Sequence, residues 1–251
     1  MARTYVYLTS GSSWSTPADW NNEDNSIEVI GAGGNGGTGA YVYASGGGGG
    51  GYSKKNNLSL TPGSSVSYQV GSGLDTWFKS TSDVLAKKGA NGSAVASTTN
   101  GALGGQASDG VGDVKYSGGN SGSTSSGPSY IRSGGGGAAG PNGNGVSTPN
   151  NWVSSDTRNG GAGDAGYGGA GGVYGSTQIG GNGTEWSSSP VYGSGGGGSG
   201  NSNNTNNNGG LYGAGGGGGT SGSAQGLASQ GIIVISYEPI LLNTSNFFQL
   251  F

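Results

Sequence analysis

Cysteine and histidine are both missing from the 251 residues. Their absence excludes disulfide bridges, thiolate nucleophiles, imidazole bases and most zinc sites. Charged residues make up only 8% of the chain and the net charge is −3, so the strong self-repulsion of many disordered sequences is missing too. Because Arg158 is the last basic residue, nucleic acid is an unfavourable partner. We expect no cofactor, no metal and no nucleic-acid partner.

Long apolar runs and helical periodicity are also missing. No stretch approaches the roughly 18 apolar residues of a membrane span, and the first residues lack an apolar run of secretory-signal length. Glycine interrupts every window in which apolar side chains could follow a helical period. We therefore expect a soluble chain, made in the cytoplasm and not exported by the Sec route, that is mainly β and irregular with almost no α-helix.

Glycine is abundant instead, with 63 copies, many of them in tracts such as GGLYGAGGGGGTSG at residues 209–222. Glycine/serine-rich chains are usually flexible linkers, but five Trp and 13 Tyr interrupt this one. Collagen is excluded because only seven prolines are present. A third interpretation is polyglycine II, a helix with three residues per turn whose backbone groups bond sideways to neighbours when only hydrogen atoms separate the chains.

Strand patterns lie in the first half of the chain and near its end. Apolar alternation predicts strands at residues 5–8, 26–30, 58–60, 66–70 and 75–79. The sequence Thr-Pro-Gly at residues 61–63 predicts a tight turn that makes 58–70 a hairpin. The segment 232–237 is apolar on both faces, and we expect it to return to a sheet formed by the early strands.

The sequence GAGGNG at residues 31–36 matches the dinucleotide-binding pattern G-x-G-x-x-G and follows a predicted strand. No helix can form after it, and no acidic residue lies about 20 positions further on. We interpret it as a structural glycine tract.

Acidic residues are rare in the glycine-rich half. Asp164 in GGAGDAG is out of register with the calcium-binding nonapeptide repeat. Hydrolysis of polysaccharide by paired carboxylates would depend on Asp156, Asp164 or Glu185, the last of which lies beside Trp186. An enzyme that trims surface polysaccharide stays open as an alternative.

Aromatic residues lie in or beside the segments between glycine tracts. Trp and Tyr among Ser, Gly and Asn are typical of protein-binding surfaces. The other interpretation is that the aromatic rings close the edge of a glycine block. The residues concerned are Trp152, Tyr174, Trp186, Tyr192 and Tyr212.

A known family shares this order of features: early strands leading into SIEVIGAGGNGG, then GGGGGGYSKKNNLSLTPGSSVSYQVGSG, alternating glycine and aromatic segments, and QGIIVISY. Residues 1–237 resemble the distal long-tail-fibre adhesins of T-even-type bacteriophages. The resemblance implies a β-rich fibre-attachment domain at 1–116 and a receptor-binding domain of packed polyglycine II helices at 117–237. Residues 232–237 would be its closing strand, and residues 238–251 are left as an apolar tail.

The resemblance also implies a role in host recognition. One adhesin chain would sit at the tip of the trimeric long tail fibre of the virion and bind an outer-membrane protein, often a porin, of a Gram-negative host. Its recognition segments would be 117–132, 141–158, 173–192 and 199–212. The candidate receptor-binding residues are Tyr130, Trp152, Tyr174, Trp186, Tyr192, Asn204, Asn206 and Tyr212, and the candidate fibre anchors are Trp14 and Trp20. Binding to lipopolysaccharide or other polysaccharide, and a passive fibre-tip cap, are the alternatives.

Overall fold

The computed structural model describes residues 2–38, 43–95, 100–124, 132–149, 158–200, 207–219 and 225–241. These residues contain no α-helix and only short 3-10 turns such as Ala107–Asp109, which confirms the expectation of a mainly β chain with almost no helix. The strands, in chain order, are β1 (Thr4–Leu8), β2 (Ser13–Ser15), β3 (Asn25–Ile30), β4 (Tyr43–Ala44), β5 (Tyr52–Asn56), β6 (Ser65–Gln69), β7 (Thr76–Phe78), β8 (Val84–Ala86), β9 (Ala94–Val95), β10 (Val114–Tyr116), β11 (Ser187–Ser188), β12 (Val191–Tyr192) and β13 (Ile232–Tyr237).

The main sheet has five antiparallel strands in the spatial order β1-β13-β3-β5-β10. The late strand β13 lies between β1 and β3, with Ile235 opposite Val6 on one side and Ile27 on the other. All six residues of β13 are buried, because both faces of the sheet are covered. The prediction that this apolar segment joins the early strands is confirmed.

A second sheet, in the order β2-β6-β7-β8, covers one face of the main sheet. The apolar cluster between the two sheets includes Ile27, Ile233 and Ile235 from the main sheet and Val66 and Phe78 from the second. Burying such side chains is the main favourable term in folding. This cluster is therefore the principal core.

The hairpin predicted for residues 58–70 is wrong in its first arm. The turn forms as predicted, with Gly63 at φ 78° and the Ser64 amide donating to Thr61 O at 3.0 Å. Strand β6, however, pairs with β2 and β7, whereas the amides of Leu58 and Leu60 donate to the side-chain oxygens of two asparagines, Asn25 and Asn22 respectively. Residues 58–60 therefore lie outside the sheets because side chains satisfy their backbone donors.

The glycine segments form no strands, yet their backbones bond to one another. In residues 47–51 the amide donors turn to three neighbouring segments in rotation. The bonds run from Gly47 N to Gly216 O, Gly48 N to Ala90 O, Gly49 N to Gly119 O, Gly50 N to Gly213 O and Gly51 N to Lys87 O, all at 2.6–2.9 Å. Residues three apart thus donate to the same neighbour.

The same period of three occurs in residues 195–200. The bonds run from Gly195 N to Tyr212 O, Gly198 N to Gly215 O, Gly196 N to Gly181 O, Ser199 N to Gln178 O, Gly197 N to Gly161 O and Gly200 N to Arg158 O. The spacing leaves no room for side chains, because a Cβ added to Gly196 or Gly197 would overlap the carbonyl group of a neighbouring segment. Close backbone approach therefore explains why these positions are glycine.

This set of bonded segments, called the glycine block below, includes residues on both sides of the predicted domain boundary at 116/117. Gly49 donates to Gly119 O, and Gly216 donates to Gly34 O. Segments from the first half of the chain are therefore interior members of the block.

Candidate functional site

The segments of the glycine block run back and forth between two ends. At the sheet-side end, β3 passes into the block and the block passes into β5, where Gly31 donates to Gly51 O. At the opposite end, called the far end, the same two segments are joined by the bond from Gly37 N to Ser45 O. Other bonds at the far end run from Gly219 N to Gly37 O, Ser45 N to Ser93 O, Ser133 N to Ala44 O and Gly200 N to Arg158 O.

Each of the four predicted recognition segments contributes one residue to the far end: Arg132, Arg158, Tyr174 and Gly200. The Gly200 amide donates to Arg158 O at 2.6 Å, and Gly200 also lies against the carbonyl of Arg132. The Arg158 guanidinium carbon lies 4.4 Å from the centre of the Tyr174 ring, a cation–π distance. The far end therefore brings together segments that are separated by up to 68 positions in sequence.

Tyr174 is the one predicted receptor-binding residue that the described structure places at the far end. Its amide donates to Asn159 Oδ1 at 2.8 Å, and its ring is partly exposed. Four further predicted residues lie outside the described residues: Tyr130, Trp152, Asn204 and Asn206.

Three other predicted receptor-binding residues lie at the sheet-side end, where they cover the second face of the main sheet. Tyr192 stacks on Tyr7 of β1 with ring centres 4.1 Å apart, and on Tyr212 with centres 6.2 Å apart. Tyr212 is only 7% exposed, and Trp186 packs against the same apolar cluster. Stacked rings of this kind stabilise the fold. Tyr212 is therefore buried by this packing, whereas Trp186 and Tyr192, which the sequence also predicts as receptor contacts, keep part of their surface exposed.

Glu28 ties this aromatic cluster to the sheet. Its Oε2 accepts hydrogen bonds from the Tyr52 hydroxyl at 2.6 Å and from Trp186 Nε1 at 3.3 Å. Lys54 on the adjacent strand lies 3.8 Å from Oε1. Burial, with the charge of Glu28 second, raises the pKa of Tyr52 far above its ordinary value, so the hydroxyl stays protonated and donates.

An enzyme that trims polysaccharide would use acidic residues, and the two that the structure describes, Asp164 and Glu185, accept hydrogen bonds from their own chain. Both carboxylate oxygens of Asp164 accept hydrogen bonds from residues 142–143, and Asp164 has no exposed surface. The carboxylate of Glu185 accepts from the amide and the hydroxyl of Ser194. Each carboxylate therefore fixes a turn at the sheet-side end, and Asp156 lies outside the described residues.

Glu185 should make the free energy of unfolding depend measurably on pH. Burial raises the pKa of this carboxyl above its ordinary value of 4.5, although hydrogen bonds from Ser194 act in the other direction. Because the folded state then holds the proton more tightly than the unfolded state, this group lowers the free energy of unfolding as pH rises from about 4.5 upward. We expect Glu185→Gln to remove that loss, so that the variant gains stability relative to wild type between pH 4 and pH 7.

Urea unfolding at both pH values measures this difference. Glu23→Gln, at an exposed position, serves as the matched control and should follow the wild type. If the free energy of unfolding changed equally between the two pH values in wild type and in Glu185→Gln, the raised pKa of Glu185 would be contradicted.

The two candidate fibre anchors lie in the principal core. Trp20 is 2% exposed and its Nε1 donates to Asn22 Oδ1 at 3.0 Å. Trp14 is partly exposed and meets the Trp20 ring edge-on, with centres 5.7 Å apart. Trp20 therefore offers no surface to a partner, whereas the open part of Trp14 does.

Sequence reasoning missed Arg132 and Arg158 as site residues. Each is the first described residue after a gap in the described part of the chain. The available signal was their rarity, because the chain has only nine basic residues and Arg132 and Arg158 are the only two after Lys115.

The glycines at residues 31–36 are part of the block. The amides of Gly33 and Gly34 donate to Ser229 O and Gly48 O, so these donors are not free to bind a phosphate. Among the described residues, no group of three or more acidic side chains is placed to hold a metal ion. The part of the chain that the structure describes has no helix with the length and apolar character to cross a membrane.

Comparison with protein-family models gives no match to this chain, and comparison with curated proteins gives none either.

Proposed function

We propose that this protein is a bacteriophage tail-fibre adhesin that binds an outer-membrane protein, of the porin kind, on a Gram-negative host through the far end of its glycine block. The observation that carries the proposal is the meeting of Arg132, Arg158, Tyr174 and Gly200 at this end. These residues represent all four segments that the resemblance implies for recognition. Binding residues commonly lie on loops that a rigid scaffold positions.

The scaffold proposed is a sandwich of packed polyglycine II helices. Support comes from the rotation of amide donors with a period of three residues in residues 47–51 and 195–200, since a helix with three residues per turn points every third amide in the same direction. Further support is the lack of room for Cβ atoms at the contacts. At about 3.1 Å per residue, a seven-residue segment holds the far end roughly 20 Å from the sheet.

The two ends suit different partners. The end of the main sheet that points away from the glycine block contains the starts of β1 and β3 and the end of β13, with Thr4 opposite Tyr237. We propose that the trimeric fibre binds the β-rich part, so that the far end points towards the host in the virion. Trp14 is the remaining candidate for the fibre contact.

The proposed role is binding without catalysis. The carboxylate oxygens of Asp164 and Glu185 accept hydrogen bonds from within the chain, which supports a structural role for each. Several adhesins on one virion would act together, and linked sites gain apparent affinity without further contacts.

A pair of tyrosines tests which end binds the host. Tyr174 and Tyr167 flank the same glycine segment, 168–172, at the far end and the sheet-side end respectively. We expect Tyr174→Ala to weaken binding to host cells about tenfold, as loss of an aromatic contact commonly does. Tyr167 is 75% exposed, so Tyr167→Ala should leave both binding and stability unchanged.

Labelled protein bound to host cells, titrated by flow cytometry, provides the measurement. Equal affinity for the two variants would count against binding by the far end, and a loss confined to Tyr167→Ala would assign recognition to the sheet-side end.

A further inference from the structure

Arg132 is buried with one nitrogen of its guanidinium group unpaired. The residue is 7% exposed, and its Nε has no hydrogen-bond partner. Neither Arg132 nor Arg158 forms an ion pair with another described residue. A guanidinium nitrogen removed from water without a hydrogen-bond partner lowers the stability of the fold. Arg132 Nε therefore lacks an acceptor at a cost in stability.

A second positive charge lies close by. Burial, with the charge of Arg158 second, lowers the pKa of Arg132. The guanidinium carbon of Arg158 lies over the Tyr174 ring, 4.4 Å from its centre, a cation–π contact that helps to hold this side chain in place. One anion bound between the two arginines would offset this repulsion.

We propose that Arg132 and Arg158 bind a carboxylate of the receptor, on an Asp or Glu side chain of an extracellular loop, and that Tyr174 positions Arg158 for this contact. The inference rests on the proposed function and adds the chemistry of the ligand. Guanidinium groups match carboxylates in a two-point hydrogen-bonded geometry. A single acidic side chain fits better than clustered lipopolysaccharide phosphates, because Arg132 and Arg158 are the only two basic residues after Lys115 in the chain.

Arginine side-chain NMR on the full chain tests the anion site without a receptor. The protein has three arginines, Arg3, Arg132 and Arg158, and Arg3 already pairs with Asp24 at 2.7 Å. Titration with sodium acetate, against sodium chloride at equal ionic strength, should move the Nε–Hε signals of Arg132 and Arg158 in a saturable way. Shifts no larger than that of Arg3 would overturn the proposal.

Charge-matched variants test the same contact on cells. Arg158→Gln and Lys115→Gln each remove one positive charge, and Lys115 lies exposed on β10 at the sheet-side end. We expect Arg158→Gln to weaken binding to host cells about tenfold or more, as loss of a charged contact does, and Lys115→Gln to have no effect. Arg158→Lys keeps the charge but loses the two-point geometry, so it should restore only part of the affinity.

The outcomes separate this inference from the proposed function. Host binding by wild type together with equal affinity of Arg158→Gln and Lys115→Gln would overturn the carboxylate contact alone. Saturable acetate shifts in a protein that binds no Gram-negative strain would support the anion site and count against the adhesin proposal. Binding that falls only when lipopolysaccharide phosphates are removed would replace the carboxylate by phosphate.

Discussion

Replacing Gly47 by alanine is expected to reduce the free energy of unfolding by about 3 kcal/mol or more, at the upper end of the usual cost of overpacking. Gly47 donates to Gly216 O at 2.9 Å, and an added Cβ would overlap the carbonyl group of Gly34. Backbone atoms on both sides are held by their own hydrogen bonds, so the methyl group cannot be accommodated by turning a side chain. Because whole domains are stable by only 5–15 kcal/mol, this one methyl group is expected to remove a large part of the total.

Gly143→Ala provides the matched control. The nearest atom to an added Cβ there is the Cβ of Ala165 at 3.1 Å, and Ala165 is exposed in a turn. We expect this variant to stay within about 1 kcal/mol of wild type, as glycine-to-alanine changes at compatible positions do. Urea unfolding followed by tryptophan fluorescence measures both. A Gly47→Ala protein as stable as Gly143→Ala would mean that the segments are not packed backbone against backbone.

Exchange of residues 201–206 for a glycine–serine segment of equal length is expected to weaken host binding about 100-fold, since a few residues carry most of the energy of an interface. The described residues on either side belong to glycine segments. The Gly200 amide donates to Arg158 O, and Asn207 O accepts a hydrogen bond from the Gly217 amide. The scaffold bonds are therefore retained in the variant. The midpoint of thermal unfolding should change by less than about 2 °C.

The control is a glycine replacement at the sheet-side end, at the exposed residues Ser188 and Ser189. This double variant should bind host cells as wild type does. Retained binding after exchange of 201–206 would remove that segment from the recognition surface, and a large fall in the unfolding midpoint would assign it to the scaffold.

The sheets were partly predictable because their side chains follow the local pattern of strands. The segment 232–237 is apolar on both faces, and β13 is buried on both faces in the middle of the main sheet. Residues 58–60 show the alternation of a half-buried strand, but the amides of Leu58 and Leu60 donate to the side chains of Asn25 and Asn22. Alternation indicates burial of Leu58 and Leu60 correctly, but it does not show which group accepts the backbone hydrogen bonds.

The ends of the glycine block were not predictable from aromatic content. Tyr174 and Trp186 were assigned to one recognition segment, 173–192, yet residues 178–183 form another crossing of the block, in which Gly180 donates to Asn208 O and Gly181 to Ala170 O. Each crossing moves the chain from one end to the other. Because this crossing is short and contains Gln and Asn as well as Gly, its sequence resembles a loop, and the pattern does not show that Tyr174 and Trp186 lie at opposite ends of the block.

Binding of the labelled full-length protein to a panel of Gram-negative strains and their single outer-membrane-protein deletions tests the central claim most directly. The account predicts binding to at least one strain and its loss on deletion of one outer-membrane protein. Binding that survives every such deletion and falls with truncated lipopolysaccharide, or an absence of binding to every strain, would contradict it.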